Sequence, residues 1–327
     1  MSISIAIHGG AGTMRAADLT EAMTTARHDG LRRALAAGWR VLQSGGAALD
    51  AVTEAVCALE NDPLFNAGHG AVLTDAGTIE MDAAIMNGAD RRAGAVAGIC
   101  GPRNPVRAAR AVMETTSHLL MIGEGAHRVA RDAGLAFESP AWFETPNRRA
   151  ALDRELARRA SGAPDTRSDA DRHGTVGAVA RDATGHLAAA TSTGGMTGKR
   201  SGRVGDTPII GGGTYADDLC AISCTGTGEV FIRYTAAAEI SARMRYKGEP
   251  IDMAAADVIA SLAEHGGDGG LIALGATGAP TLNFNSSGMY RGYITADGIA
   301  HTAIHREAFR AAPLQGSAPG QPLARST

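Results

Sequence analysis

Aromatic residues are scarce in this 327-residue chain: two Trp, five Tyr and six Phe amount to 4% of it. A core with so few rings has to be built from Ala, Val, Ile and Leu packed close to backbone, and the 43 glycines permit that closeness. Tight sheet–helix layers are favoured over a groove lined with rings. Cysteine is sparse too. Cys57, Cys100, Cys220 and Cys224 are too few and too scattered for a disulfide framework, and the last two do not form a C-x-x-C pair. The ten histidines show no pairing at metal-ligand spacing, so no catalytic metal or other catalytic cofactor is expected. No apolar run approaches the roughly 20 residues needed to cross a bilayer, which argues against a membrane partner. A basic stripe is also missing. The net charge is −3 with the two signs mixed along the chain, so nucleic acid is not an expected partner. Residues 1–12 lack the charged region and cleavable apolar stretch of a secretion signal. A cytoplasmic location is the expectation.

Apolar residues make up 44% of the chain, as in soluble globular proteins. The length suits one large domain or two ordinary ones, at roughly 150 residues each. Residues 3–8 read as a buried strand closed by Gly9-Gly10-Ala11-Gly12. Helical spacing runs from Leu19 to Gln43 and from Leu49 to Glu60, and again over Pro105–Glu114 and Glu124–Ala133. Strand-like runs cover Ala71–Thr74, Thr78–Met86 and Ala93–Cys100. From about residue 138 to 172 the chain carries Pro140, Pro146, Pro164 and many charges, and reads as an exposed, poorly ordered linker. Strand character then returns abruptly at Thr175–Arg181 and His186–Thr193, around a turn at Asp182-Ala183-Thr184-Gly185. A glycine-rich segment, 194–213, leads to a strand at Leu219–Cys224 and helical patterns at Val230–Arg245 and Ile251–His265. Leu271–Leu274 and Thr281–Phe284 read as strands, and the tail from Ala311 as loose. Both halves mix strands and helices. Periodicity alone leaves stacked sheets between helices and a doubly wound sheet equally open.

The junction His173-Gly174-Thr175-Val176-Gly177 carries the chemistry. A polar segment ends at a small residue, and a Thr opens a buried strand. The Thr hydroxyl can attack the carbonyl before it, shift the chain onto an ester, and let water complete the cut. Thr175 then owns a free α-amine, whose reference pKa of about 7.7–8.0 suits a base acting on its own hydroxyl. The same tripeptide also opens ordinary strands, so the neighbouring motifs decide between the readings.

Those neighbours are His173-Gly174-Thr175-Val176-Gly177-Ala178-Val179-Ala180, Ala190-Thr191-Ser192-Thr193-Gly194-Gly195-Met196-Thr197, Gly202-Arg203-Val204-Gly205-Asp206 and Ser223-Cys224-Thr225-Gly226-Thr227-Gly228-Glu229. The N-terminal half adds His8-Gly9-Gly10-Ala11-Gly12, Pro63-Leu64-Phe65-Asn66-Ala67-Gly68 and Arg103-Asn104-Pro105. Together they resemble the plant-type asparaginase/isoaspartyl peptidase family of N-terminal nucleophile hydrolases, from about residue 4 to about residue 295 apart from the linker. The resemblance implies an α+β fold, a four-layer αββα sandwich. It also implies an α-subunit (1–174) and a β-subunit (175–327) that form one folded domain after the chain cuts itself between Gly174 and Thr175, and an (αβ)₂ assembly.

The resemblance further implies roles. Thr175 is the nucleophile and Thr193 the hydroxyl beside it, with Thr225 and Gly226 as the oxyanion hole. Arg203 clamps the substrate α-carboxylate, Asp206 and the Gly228 carbonyl hold its α-ammonium, and Asn66 lies near the nucleophile. One anion and one cation are what a free amino-acid head group offers, and a guanidinium fork suits the carboxylate. The substrate class implied is small: isoaspartyl dipeptides and L-asparagine, cut to release aspartate. Main-chain carbonyls of Leu59, Glu60, Asp62, Phe65, Ala67 and His69 match the family's sodium loop. A glycosylasparaginase-like amidase and a non-processing amino-acid-binding protein of the same fold are the alternatives. Gly198 departs from the pattern, standing where relatives often carry Asn.

Overall fold

In the computed structural model, residues 2–12, 19–163 and 174–314 are described. The large sheet takes in β1 (Ser4–Ala11), β2 (Met81–Asn87), β3 (Ala93–Ile99), β4 (Leu120–Ile122), β5 (Val176–Arg181) and β6 (Leu187–Thr193), completed by β11 (Met289–Ile294), β12 (Ile299–Ala303) and β13 (Arg310–Pro313). Its strand order is β13-β12-β11-β1-β5-β6-β2-β3-β4. Neighbours run antiparallel except β3 and β4, which are parallel. A second antiparallel sheet orders β10 (Thr281–Phe284), β9 (Gly269–Gly275), β8 (Cys220–Gly226) and β7 (Thr214–Ala216).

Alternate residues of the central strands serve different cores, as the two-residue strand period requires. Ile5, Ile7, Val176 and Ala178 pack with Leu31, Leu35, Val52 and Val56 of α1 (Glu21–Gln43) and α2 (Ala48–Glu60). Ala6, Val179 and Ala189 point the other way, into a cluster with Ala221, Ile272 and Leu274 of the small sheet. The far side of that sheet places Ile222 and Leu271 against Ile240 of α8 (Ala236–Lys247) and Ile259 of α9 (Ile251–Glu264). Strands covered on both faces need no polar face, which explains why β5 and β6 are buried from end to end. The α+β class is as expected.

Several local expectations change. Within the expected linker 138–172, Pro140–Phe143 (α5) and Pro146–Ser161 (α6) are helical, with Phe143, Leu152 and Glu155 buried. The prolines sit at first-turn positions, where a missing N–H costs nothing. Thr145 caps α6 by accepting from Arg148 N–H, and left-handed Gly162 ends it. Arg158 and Arg159 neutralise Glu155 inside the fold. Residues 164–172 lie outside the described residues. Ala71–Thr74 holds only an isolated bridge, Thr74 to Lys199. The helix expected at Val230–Arg245 is two, α7 (Gly228–Arg233) and α8, broken where Thr235 turns left-handed at φ 45°. Arg310–Pro313, in the expected loose tail, pairs with β12. Gly198 has φ +69°, a left-handed conformation that Gly and Asn both tolerate.

Candidate active site

Thr175 stands immediately before β5, between β1 and β6, and is 6% exposed. His8 on β1 fixes its backbone: Nδ1 lies 3.0 Å from the Thr175 carbonyl oxygen and Nε2 2.9 Å from Ser223 Oγ. A carbonyl only accepts, so Nδ1 carries the proton and Nε2 receives the Ser223 hydroxyl. Burial drives the His8 pKa down to about 3, which keeps this neutral arrangement at any physiological pH. Ser223 continues into Thr191 at 2.7 Å and Thr214 at a further 2.7 Å, a buried run of hydroxyls bridging the two sheets. His8 and Ser223 both fell within motifs of the resemblance, but their link appears only when β1 and β8 meet across β5.

The hydroxyls of Thr175 and Thr193 touch. Thr175 Oγ1 donates to Thr193 Oγ1 at 3.2 Å, and Thr193 Oγ1 donates to the Gly174 carbonyl oxygen at 2.8 Å. Thr193 is itself oriented by the Gly195 N–H at 2.9 Å. Asn66 supplies a second donor to the same Gly174 oxygen, Nδ2 at 2.8 Å, and spends its other N–H on the Gly195 carbonyl at 2.7 Å. Val72 N–H, 2.9 Å from Asn66 Oδ1, fixes which end of the amide faces the carbonyl. The carbonyl before Thr175 therefore receives two hydrogen bonds, as an oxyanion would. His173 lies outside the described residues.

Gly10 closes over this junction from β1. An added Cβ there would stand 3.1 Å from Gly174 Cα and 3.3 Å from Thr175 N, and its φ of +111° suits glycine alone. Gly10→Ala is expected to strain the backbone by about 1–3 kcal/mol and to push on the junction. If the junction is the cut site, uncut chain accumulates, and a denaturing gel followed over time reads it. Wild-type processing speed in that variant would contradict the close approach.

Arg203 and Asp206 border the same small space as Thr175, Thr193 and Gly226, a gap of only about 10 Å³ that Gly174 also walls. That is scarcely one water's worth. Asp206 is 5% exposed, and its Oδ2 has no hydrogen-bond partner among the described residues. Burial raises its carboxyl pKa to about 7, against the pull of Arg203. A buried carboxyl left so poorly paired is costly to ionise, and a cation placed beside it would offset that cost. Arg203 presents Nε and Nη2 to the Glu229 carboxylate, each at 2.9 Å, which fixes the plane of its fork. Gly228 lies against both: a Cβ would meet Asp206 Oδ1 at 2.9 Å and Arg203 Nη2 at 3.0 Å.

Thr225 is placed differently from Gly226. Its hydroxyl is fully buried and accepts the Ala11 N–H at 3.2 Å, and it does not border the space. Near Arg203 and Asp206 lies a charged layer that sequence reasoning missed. Asp82 accepts from Gly98 N–H at 2.9 Å and Gly205 N–H at 3.3 Å, and Lys199 donates to the Glu80 carbonyl at 2.8 Å. Burial raises the Asp82 pKa and lowers that of Lys199. Nothing in local sequence connects residues so far apart.

The loop after α2 turns tightly on itself. His69 N–H donates to the Glu60 carbonyl at 2.7 Å and Phe65 N–H to the Asp62 carbonyl at 3.1 Å. A Cβ on Gly68 would lie 2.4 Å from the Glu60 carbonyl oxygen, so the carbonyl points into the loop. Of the six carbonyls that the resemblance implies for a sodium loop, those of Leu59, Glu60 and Asp62 accept backbone N–H groups of Asp62, His69 and Phe65. Among the described residues, no group of three or more His, Cys, Asp or Glu is placed to hold a metal, and no helix is long and apolar enough to cross a membrane.

A family profile described as asparaginase matches residues 1–304. The isoaspartyl peptidase of Salmonella typhimurium is 49% identical over 310 residues, covering 93% of this chain and 98% of that protein. The isoaspartyl peptidase of Escherichia coli is 48% identical over 313 residues, 93% of this chain and 96% of its own. The plant-type L-asparaginase of Thermococcus kodakarensis is 47% identical over 242 residues, 70% of this chain and 76% of its own. With a profile match over most of its length and close to half its residues shared with such relatives, the chain belongs to the plant-type asparaginase and isoaspartyl peptidase family.

Proposed function

We propose that this chain is a threonine hydrolase that cuts itself between Gly174 and Thr175 and then hydrolyses β-aspartyl amide bonds, in isoaspartyl dipeptides and L-asparagine. The observation that carries the reading is the hydrogen-bond path from Thr175 Oγ1 through Thr193 Oγ1 to the Gly174 carbonyl, which Asn66 also polarises. In the self-cleavage step Thr175 Oγ attacks the Gly174 carbonyl carbon. Its proton passes to Thr193, whose own proton goes to the carbonyl oxygen. On collapse the proton on that oxygen passes to the Thr175 nitrogen, which leaves as an amine, and Gly174 becomes an ester that water hydrolyses to a carboxylate and the free hydroxyl.

The freed α-amine then takes the Oγ proton as Oγ attacks the side-chain carbonyl of a β-aspartyl substrate. Ammonia or an amine leaves with that proton. Water resolves the aspartyl ester and releases aspartate. Arg203 holds the α-carboxylate of the aspartyl part, while Asp206, with the Gly228 carbonyl, holds its α-ammonium. Gly226 stabilises the oxyanion from the wall of the space, and Thr225, which does not border it, would have to shift its hydroxyl towards it to take part.

The reading includes a four-layer αββα sandwich whose α-subunit (1–174) and β-subunit (175–327) remain one domain; the pairing of β1 from the first with β5 and β11 from the second supports it. Two such αβ units assemble as (αβ)₂. Main-chain carbonyls of the 59–69 loop would hold a sodium ion, whose part would be structural, stiffening the turn that carries Asn66. Intact-mass spectrometry of denatured, freshly purified protein is the test. Two fragments, the second beginning at Thr175, are expected, together with aspartate release from both substrates. A single unchanging mass with tight aspartate binding and no turnover would replace this reading with that of a binding protein.

A further inference from the structure

A second cavity borders Gly174. It measures about 340 Å³ and shares no wall with Arg203 or Asp206. That volume lies in the range of small-ligand sites. Gly10 and Asn66 line it on the junction side, and Arg27, Arg148 and Arg154 elsewhere, with no acidic side chain among the described lining residues. Arg27 is set by a bond from Nη1 to the Met23 carbonyl at 3.3 Å and stands 5.4 Å over the ring of Tyr290. Arg148 is set by a bond from Nε to the Gly70 carbonyl at 2.7 Å. Tyr290 also lines the cavity. It is 8% exposed, and its hydroxyl has no hydrogen-bond partner among the described residues.

Stereochemistry decides what enters. The departing amine takes its proton from the Thr175 α-amine, so it leaves from beside that nitrogen. Gly10 of the neighbouring strand approaches Thr175 N so closely that an added Cβ would stand 3.3 Å from it, and Gly10 is a wall of the cavity. The two small spaces therefore divide the substrate at its scissile bond: the aspartyl head group on the Arg203 and Asp206 side, the leaving group on the arginine-lined side.

We propose that this cavity is the leaving-group site, and that Arg27 and Arg154, with Arg148 and the Tyr290 hydroxyl, bind the carboxylate of the amino acid released from a β-aspartyl peptide. The proposal rests on the reading of Thr175 as the nucleophile. It makes the preferred substrate a peptide with a free C-terminal carboxylate on the leaving residue. Ammonia, the leaving group of L-asparagine, gains nothing from the site.

The test compares three substrates on the processed wild-type enzyme: β-aspartyl-leucine, the same dipeptide with its C-terminus amidated, and L-asparagine. The free acid should exceed the amide in kcat/KM by about tenfold or more, the worth of a charge-assisted pair. In the double variant Arg27→Gln, Arg154→Gln the ratio of acid to amide should fall towards one. Equal kcat/KM on acid and amide by wild-type enzyme that turns over all three substrates overturns the proposal and leaves the nucleophile reading standing. Persistence of the full ratio in the double variant also overturns it. No turnover of any of the three removes the nucleophile reading and this site with it. The wild-type ratio is decisive even if the double variant folds poorly.

Discussion

Thr175→Ala should give one unbroken chain with β-aspartyl hydrolysis reduced by at least about 10⁴-fold, the scale on which loss of a nucleophile is felt. Fold stability should change little. Among the described residues the Thr175 side chain makes one hydrogen bond, to Thr193 at 3.2 Å, and such a bond is worth about 1 kcal/mol net. The Gly174 carbonyl keeps both its donors, Asn66 and Thr193, so the alanine chain retains the junction geometry and lacks only the attacking oxygen. Thr175→Ser restores that oxygen and should be cut, more slowly, because the methyl that helps fix the rotamer is gone. Mass spectrometry of both variants after long incubation reads the result. Two fragments from the alanine chain would mean that something other than this hydroxyl breaks the chain.

Asp206→Asn should lower kcat/KM by about 10²–10³-fold, the cost of removing one member of a buried ion pair. In the free protein this carboxyl has its pKa raised to about 7 by burial. A ligand ammonium needs the ionised form. Below about pH 7 the carboxyl holds a proton that binding must expel, so affinity for L-aspartate should fall about tenfold per unit of pH there and level off above it. The aspartate amine stays charged throughout, so the slope belongs to the protein. Calorimetric titration of the uncut Thr175→Ala chain is a poor choice, because Gly174 still walls the space; the processed enzyme should be used. In Asp206→Asn the slope should vanish along with the affinity. A pH-independent affinity in the wild type would show that Asp206 does not meet the ammonium.

Glu229 accounts for part of this arrangement. Its carboxylate occupies the Nε and Nη2 edge of Arg203, so the Nη1 side of the fork is the part left for a substrate carboxylate. The charge of Glu229 also raises the Asp206 pKa, a smaller effect than burial. Arg203 is thus paired with Glu229 rather than with Asp206, whose Oδ2 has no partner among the described residues, and the two are offered to the opposite ends of one amino acid.

The sequence by itself put forward the candidate chemistry-bearing set, through the motifs it shares with a family. A Thr after a Gly at the mouth of an apolar run, an Arg three residues before an Asp, and a Gly-rich turn before a helix are local patterns, and local patterns survive in one dimension. It also determined the α+β class, because strand and helix periods are written in neighbouring residues. What it misread were signals with two physical meanings. Pro140 and Pro146 break structure in a linker and begin helices at a first turn, and only the burial of Phe143, Leu152 and Glu155 selects the second. The tail strand β13 has little strand character of its own and exists because β12 offers it an edge. The tertiary structure alone decided the contacts across long separations: His8 to Ser223, Asn66 to Gly174, Gly10 to Thr175 N, and the three arginines gathered from α1 and α6 around one cavity. Those pairings depend on which strands lie side by side, and strand order is set by the sum of many weak packing preferences that no short stretch of chain contains.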